Sequence, residues 1–185
     1  MSVKILGGKF KGRSLEVPQS GTRPTSVMLR RRIFDAMQSL EGYDFVDLCA
    51  GSGSVGFEAL SRGANSVTFV ELGKKQVSLI QRNFEKITGH ANSDYSVNVV
   101  RDSAIKWSKK NNKVISSKTI VFFDPPYAEA DLYFSFFELL PSFSNECLFL
   151  IEVSNKTDFY SEIVSTLASF NPRIIKQGER EVFWF

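Results

Sequence analysis

Apolar runs alternate with helix-like segments from about residue 43 onward, and this alternation is typical of a parallel α/β sheet. The segment 74–88 shows the helical pattern well, since Val77, Ile80 and Phe84 recur at roughly helical spacing. The predicted strands are 43–49, 66–72, 97–101, 119–124, 146–153, 172–177 and 181–185. The predicted helices are 54–61, 74–88, a short helix through Trp107, 130–140 ended by Pro141, and 158–170. The pattern therefore predicts a Rossmann-like, seven-stranded, mostly parallel sheet whose last pair is an antiparallel hairpin.

The N-terminal segment follows a different pattern from the predicted sheet. Residues 3–17 are rich in glycine and predict a small β-hairpin, and an amphipathic helix over 25–40 joins this hairpin to the sheet. The chain has 185 residues and 43% hydrophobic content, which suits one well-buried core. We predict a single domain with a hairpin-and-helix extension over 1–40 and a Rossmann-like core over 41–185.

Composition excludes several classes of protein. No stretch approaches 18 uninterrupted apolar residues, and the N-terminus has no signal-peptide pattern, so we expect a cytoplasmic protein that does not span a membrane. Cys49 and Cys147 each lie in an apolar run, which favours burial over a disulfide or a metal site. The polar segment 109–118 predicts a surface loop.

Charge is distributed unevenly along the chain. Residues 1–32 hold eight basic residues and one acidic residue, while the remainder holds fifteen basic and nineteen acidic residues. Such asymmetry indicates either a polyanion-binding face or a solvated surface without a partner.

The segment Asp124-Pro125-Pro126-Tyr127 directly follows an apolar strand-like run and carries the most specific chemistry. Exocyclic amines are weak nucleophiles, so their methylation depends on positioning and on stabilising the positive charge that develops on nitrogen. A carboxylate beside a proline-constrained carbonyl supplies two acceptors for the two N–H bonds. The tyrosine supplies a ring for stacking on a base, which contributes roughly 1–3 kcal/mol in nucleic-acid sites.

A glycine loop, Gly51-Ser52-Gly53 within 47–56, follows the first predicted strand of the sheet. Glu71 comes 20 residues after Gly51, the spacing at which an acid accepts hydrogen bonds from a ribose in dinucleotide sites. The glycine pattern alone therefore fits either a nicotinamide cofactor or S-adenosylmethionine.

Acidic residues favour S-adenosylmethionine over a dinucleotide. Asp47 at the mouth of the loop would repel a pyrophosphate but attract an amino group or a sulfonium. Asp102 and Ser103 follow the third strand, where they could receive the adenine amine, although Asp102 could equally be a helix N-cap. Together with Glu71 and Asp124, these acids fall at the carboxyl ends of strands of the predicted parallel sheet, at the edge where open α/β sheets bind ligands.

Taken together, these motifs resemble the RsmD-type methyltransferases, class I enzymes that methylate the N2 amine of one guanine in 16S small-subunit ribosomal RNA. The resemblance covers the segments 7–13, 23–25, 47–60, Glu71, Asp102 and 124–127. The glycine loop and the 124–127 tetrad are shared with many amino-methyltransferases, whereas the N-terminal hairpin and the Arg-Pro-Thr segment are specific to the family.

The resemblance implies roles for individual residues. The implied cofactor-binding residues are Asp47, Gly51, Ser52, Gly53, Glu71, Leu72, Asp102, Ser103, Arg23 and Thr25, and the implied catalytic residues are Asp124, Pro125, Pro126 and Tyr127. Lys9, Lys11, Arg13 and Arg30 would contact RNA phosphates. The implied partner is 16S ribosomal RNA within a small-subunit particle, and we expect a monomer without a metal.

One departure concerns the first helix, where the family's usual Arg-Glu pair is replaced by Arg30-Arg31-Arg32. Three other functions share parts of the pattern. They are methylation of an adenine in RNA or DNA, methylation of a protein glutamine, and RNA binding without catalysis.

Overall fold

A seven-stranded sheet forms the centre of the computed structural model, which describes residues 2–18, 26–89, 95–113, 115, 118–144 and 146–185. Its strands are β3 (Asp44–Leu48), β4 (Ser66–Glu71), β5 (Ser96–Arg101), β6 (Thr119–Phe123), β7 (Leu148–Ser154), β8 (Arg173–Gln177) and β9 (Arg180–Trp184). Their order across the sheet is β5-β4-β3-β6-β7-β9-β8. The pairs among β3 to β7 are parallel, while β9 is antiparallel to both β7 and β8. The predicted Rossmann-like fold with a closing antiparallel hairpin is confirmed.

Six α-helices accompany the strands in the described part of the chain. They are α1 (Val27–Met37), α2 (Ser54–Ser61), α3 (Lys74–Thr88), α4 (Ala104–Asn111), α5 (Ala130–Phe137) and α6 (Tyr160–Leu167). Neighbouring residues of a strand face opposite sides of the sheet, so Phe45 and Val46 of β3 enter different apolar clusters. One cluster packs under α1, α2 and α3, and the other packs under α5 and α6. The sheet is thus covered on both faces, as parallel strands require.

The N-terminal segment forms the predicted hairpin, with β1 (Ser2–Lys4) antiparallel to β2 (Ser14–Glu16). It is docked on α2, because the Leu6 N–H donates to the Glu58 carboxylate at 2.7 Å and the Phe10 N–H donates to the Ser61 hydroxyl at 2.8 Å. The hairpin therefore has a fixed position against the core.

Some predicted boundaries were wrong because they depend on caps and packing. Helix α4 continues to Asn111, so the start of the predicted loop 109–118 is helical. Pro141 lies inside a short 3₁₀ turn, Leu140–Ser142, and helix α5 has already ended at Phe137. No helix in the described ranges is long and apolar enough to span a bilayer.

The two cysteines differ in their surroundings. Cys147 is buried, as predicted, whereas Cys49 is only half-buried because it borders a cavity. Neither cysteine forms a disulfide.

Candidate active site

A cavity of about 710 Å³ opens where β3, β4, β5 and β6 reach their carboxyl ends. Four acids that follow or end these strands border it, namely Asp47, Glu71, Asp102 and Asp124. Of the residues predicted from sequence, those that line the cavity are Asp47, Gly51, Ser52, Glu71, Leu72, Asp102, Ser103, Asp124, Pro125, Pro126 and Tyr127. The parallel sheet therefore brings together segments that are far apart in sequence.

The three other predicted cofactor-binding residues are Arg23, Thr25 and Gly53. Arg23 and Thr25 lie outside the described residues. Gly53 does not line the cavity but begins α2 with a φ of 77°, and a Cβ there would lie 2.7 Å from the Phe57 ring. Gly53 thus shapes the loop, because a side chain at this position would meet both backbone strain and a clash.

Glu71 ties the glycine loop to the end of β4. One carboxylate oxygen accepts a hydrogen bond from the Gly51 N–H at 2.8 Å, and the other accepts from the Gly73 N–H at 2.7 Å. These two bonds fix the orientation of the carboxylate at the cavity. Each oxygen retains capacity to accept a further hydrogen bond, such as one from a ribose hydroxyl.

Asp47 lies deepest among the acids, with only 2% of its surface exposed. Its carboxylate accepts from the Gly56 N–H at 2.9 Å, which anchors the start of α2. Burial raises the pKa of Asp47 to about 8, and the charge of Glu71 adds to this rise, while the hydrogen bond from Gly56 opposes it. A cationic ligand group would favour the ionised carboxylate, whereas a pyrophosphate would not.

Leu72 and Asp102 border the cavity with different chemistry. Leu72 is 66% exposed and offers an apolar surface for a flat ring. Asp102 accepts from the Ser103 N–H at 2.8 Å and forms an ion pair with Lys110 at 3.4 Å. The side chain that caps α4 belongs to Ser103, so the N-cap alternative for Asp102 is wrong.

The 124–127 segment begins directly after β6, where the Asp124 N–H reaches the Leu48 carbonyl of β3 at 3.5 Å. The Pro126 carbonyl accepts from the Glu129 N–H at 3.0 Å, which closes the turn. Pro125 is buried, while Asp124 is half-buried at the cavity. Asp124 and Pro125 therefore lie side by side in the cavity lining, at the end of β6.

The sequence did not predict Arg180, which lines the cavity, or Glu152 and Asn83, which contact residues of its lining. Arg180 lines the cavity from β9, and its guanidinium contacts the buried Glu152 carboxylate at 3.1 Å. Glu152 also accepts from the Tyr127 hydroxyl at 2.7 Å. Asn83 of α3 donates to the Ser52 carbonyl at 3.1 Å and so supports the glycine loop from below. No local pattern marks these residues, since their partners are distant in the sequence.

Arg30 does not fit the predicted contact with RNA phosphates. It is fully buried, with its guanidinium 2.6 Å from the Lys4 carbonyl, 3.3 Å from the Ser54 carbonyl and 3.9 Å from Glu58. The prediction was wrong because Arg30 faces the core side of an amphipathic helix. Its role is to join β1 to α2, and burial lowers the pKa of its guanidinium.

The other three predicted RNA-binding residues, Lys9, Lys11 and Arg13, are exposed on the hairpin. Lys9 lies over the ring of Tyr95 at 4.9 Å, and Arg13 lies over the ring of Phe10 at 5.1 Å. Arg13 also donates a hydrogen bond to the Ile87 carbonyl. These contacts hold two of the cations at defined positions on the surface.

The residues of the cavity fit S-adenosylmethionine, because an acidic lining suits a ligand that carries an ammonium and a sulfonium. In the described part of the chain, no cluster of three or more His, Cys, Asp or Glu could hold a metal ion. The topology of the sheet, the glycine loop and the acids at the strand ends define a class I methyltransferase.

The family model described as conserved hypothetical protein 95 matches residues 3–182. The chain belongs to this family, the RsmD-type methyltransferases. One relative, the ribosomal RNA small subunit methyltransferase D of Haemophilus influenzae, is 35% identical over 127 residues, which cover 68% of this chain and 64% of the relative. The chain spans slightly less than two thirds of the first three curated relatives it matches, 62–64% of their length.

Two solved structures share the fold. The hypothetical protein TTHA0928 of Thermus thermophilus is 27% identical, with a TM-score of 0.74 and coverage of 98% of each chain. The T. thermophilus 16S rRNA N2 G1207 methyltransferase RsmC, solved with AdoMet and guanosine, is 15% identical with a TM-score of 0.68. The match covers 100% of this chain and 49% of the RsmC chain.

Proposed function

We propose that this protein transfers a methyl group from S-adenosylmethionine to the exocyclic N2 amine of a guanine in 16S ribosomal RNA. The observation that carries the proposal is that Asp124 and Pro125 line the same cavity as Asp47, Glu71 and Asp102. A methyl donor and an amine that accepts the methyl group could therefore lie in contact within this cavity.

On the cofactor side, each residue has a distinct role. Glu71 would accept hydrogen bonds from ribose hydroxyls, Leu72 would offer an apolar surface to the adenine, and Asp102 would receive the adenine amine. Asp47 and the glycine loop receive the amino-acid end, and Arg23 and Thr25 complete the set over the cofactor. When bound, the cofactor supplies an electrophilic methyl group on a sulfonium.

On the acceptor side, Asp124 and the Pro125 carbonyl would accept hydrogen bonds from the two N–H groups of the amine. These bonds would direct the nitrogen lone pair toward the methyl group. Methyl transfer would place positive charge on the amine nitrogen, and the Asp124 carboxylate would stabilise that charge. The amine then releases a proton toward Asp124 or water. Tyr127 and Pro126 provide the surface on which the base rests.

The RNA substrate is supported by two observations. The curated relatives are named as small-subunit ribosomal RNA methyltransferases, and RsmC, which shares the fold, is named as acting on N2 of a guanine. The exposed cations of the hairpin, Lys9, Lys11 and Arg13, suit phosphates. The proposal includes a small-subunit particle as the partner of a monomeric, cytoplasmic enzyme.

The experiment that tests this function uses labelled S-adenosylmethionine and small ribosomal subunits from cells that lack the endogenous enzyme. Digestion of the RNA identifies the methylated nucleoside, and naked 16S RNA in parallel reactions tests the need for the particle. N2-methylguanosine is the expected product. A methylated adenosine product would mean that the target base is adenine and not guanine. Transfer to ribosomal protein alone would exclude an RNA substrate.

A further inference from the structure

Three side chains from separate elements meet at the edge of the cavity, and we call them the Glu152 cluster. Glu152 of β7 accepts from the Tyr127 hydroxyl at 2.7 Å and from Arg180 of β9 at 3.1 Å. The Arg180 guanidinium also lies over the Tyr127 ring, 5.4 Å from its centre. The tyrosine is therefore held at its hydroxyl and over one face of its ring.

Glu152 occupies a position where an apolar residue would be expected. It is fully buried and shares its face of β7 with the buried Leu150. Buried ion pairs contribute little net stability, since desolvation of both charges offsets their attraction. A role in positioning accounts for the pair better than stability does.

The antiparallel direction of β9 explains why Arg180 reaches the cavity. Arg180 is the first residue of β9 and pairs with Ser154, the last residue of β7. It therefore lies at the edge where the parallel strands end. Both Arg180 and Tyr127 line the cavity, whereas the Glu152 carboxylate lies behind them.

The charges of the Glu152 cluster are matched to a site in which positive charge develops. An unpaired arginine near the amine would oppose that charge, but Glu152 neutralises Arg180. Burial and the carboxylates of Asp124 and Glu152 raise the pKa of Tyr127, so its hydroxyl remains a donor. The Tyr127 hydroxyl therefore keeps its hydrogen bond to Glu152 across the neutral pH range.

We propose that Glu152 and Arg180 are positioning residues for the acceptor base, which hold the Tyr127 ring ready for stacking. This inference rests on the proposed function. A ring that is fixed before binding loses less entropy when the base arrives, so the cluster should lower the KM for RNA. The hydrogen bonds and ring contact described for the cluster join Tyr127, Glu152 and Arg180 to one another, so we expect cofactor affinity to be independent of them.

The test compares Glu152→Gln and Arg180→Gln with wild type in KM for small-subunit RNA and in Kd for S-adenosylmethionine. We expect KM to rise roughly 10-fold, within the range known for displaced positioning groups, and Kd to change by less than about 2-fold. Arg180→Lys keeps a cation for Glu152 and should restore part of the loss. In the double variant Tyr127→Phe/Glu152→Gln, the effects should not add, because Glu152 acts through the tyrosine hydroxyl.

A matched control exists on the opposite face of β9. Glu181 is also buried, accepts from the Tyr160 hydroxyl at 2.7 Å and pairs with Lys176 at 3.0 Å, but none of the three lines the cavity. Glu181→Gln removes the same kind of charge as Glu152→Gln, but from the adjacent strand. Its KM should equal that of wild type, and an equal rise in KM would overturn the proposal.

NMR of ring-labelled tyrosine tests the positioning without any reaction. The Tyr127 signal, assigned with Tyr127→Phe, should shift or broaden in Glu152→Gln and Arg180→Gln but not in Glu181→Gln. An unchanged signal, or an unchanged KM beside a changed signal, would overturn the proposal.

If the wild type transfers no methyl group to RNA, the proposed function fails. The affinity for guanosine, measured by titration on the same Tyr127 signal, then replaces KM as the quantity compared between variants. Equal guanosine affinity in all variants, or no binding, would then overturn the inference.

Discussion

Asp47 lies in β3 and Asp124 directly follows the neighbouring strand β6, yet the two acids have different environments. Asp47 is almost fully buried and its pKa is raised to about 8, whereas Asp124 is half-buried at the cavity. The difference follows from position, since Asp47 lies within β3 and Asp124 lies one residue beyond β6. At the scale of single residues, the proposed function assigns the more buried acid to the cofactor and the more exposed acid to the amine.

Replacement of Asp124 should separate these two roles. In Asp124→Ala we expect a loss of methyl transfer of about 100- to 1000-fold, because an acceptor aimed at the developing charge is removed. Cofactor affinity, measured by calorimetry, should stay within about 2-fold of wild type. Asp131→Ala, at an exposed position on α5, is the control and should retain full transfer. Loss of cofactor binding in Asp124→Ala would contradict the assigned role.

The raised pKa of Asp47 predicts a pH dependence of stability. The folded pKa of about 8 lies above the unfolded value near 3.9, so the folded state binds the extra proton. The contribution is complete below about pH 4 and is lost as pH rises through about 8. Relative to Asp47→Asn, the ligand-free wild type should lose about 3 kcal/mol between about pH 6 and about pH 9.

Urea unfolding at about pH 6 and about pH 9 measures this difference. A constant difference between Asp47→Asn and wild type would mean that Asp47 is ionised throughout the range.

At the scale of elements, the N-terminal hairpin depends on close approach to the end of α2. Gly8 has a φ of 72°, and a Cβ there would lie 1.7 Å from the Ser61 carbonyl oxygen. The Lys9 N–H donates to that same oxygen at 2.7 Å. The close approach therefore depends on glycine at this position.

Gly8→Ala should lower the free energy of unfolding by about 2–4 kcal/mol, because the hairpin must move away from α2. Gly12 is the matched control, since its φ is 84° and a Cβ there would meet nothing within 4 Å. Gly12→Ala should cost only the backbone strain, roughly 1–2 kcal/mol. Equal losses in urea unfolding would mean that the contact with Ser61 has no energetic weight.

At the scale of the whole molecule, the exposed cations and the cavity lie at opposite ends of α2. The hairpin contacts Ser61 at the end of α2, whereas Ser54 at its start borders the cavity. Eight helical residues span about 12 Å, so a substrate that reaches both sites must be longer than one nucleoside. RNA should therefore bind more tightly than guanosine.

Charge reversal on the hairpin tests this arrangement. Lys9→Glu/Lys11→Glu should weaken RNA binding and reduce the slope of log K against log salt concentration by roughly two, as two phosphate contacts are lost. Lys109→Glu/Lys118→Glu changes the same net charge at exposed positions outside the hairpin and is the control. Equal slopes for the two double variants would assign the effect to net charge alone.

The sequence by itself determined the elements and most of the site. Helices α2 and α3 were predicted with the observed bounds, and the acids Asp47, Glu71, Asp102 and Asp124 were predicted to meet at one edge of the sheet. These predictions succeeded because hydrophobic periodicity is a local property, and because alternating strands and helices form parallel sheets whose carboxyl ends lie at one edge.

Only the tertiary structure decided which charged side chains are buried and which partners they have. Arg30 belongs to a basic triplet, yet packing of α1 buries it against Glu58 while Arg31 stays exposed. Arg180 reaches the cavity because β9 runs antiparallel between β7 and β8. Both outcomes depend on contacts between residues distant in sequence. The charge of a residue does not indicate which distant residues it will contact after folding.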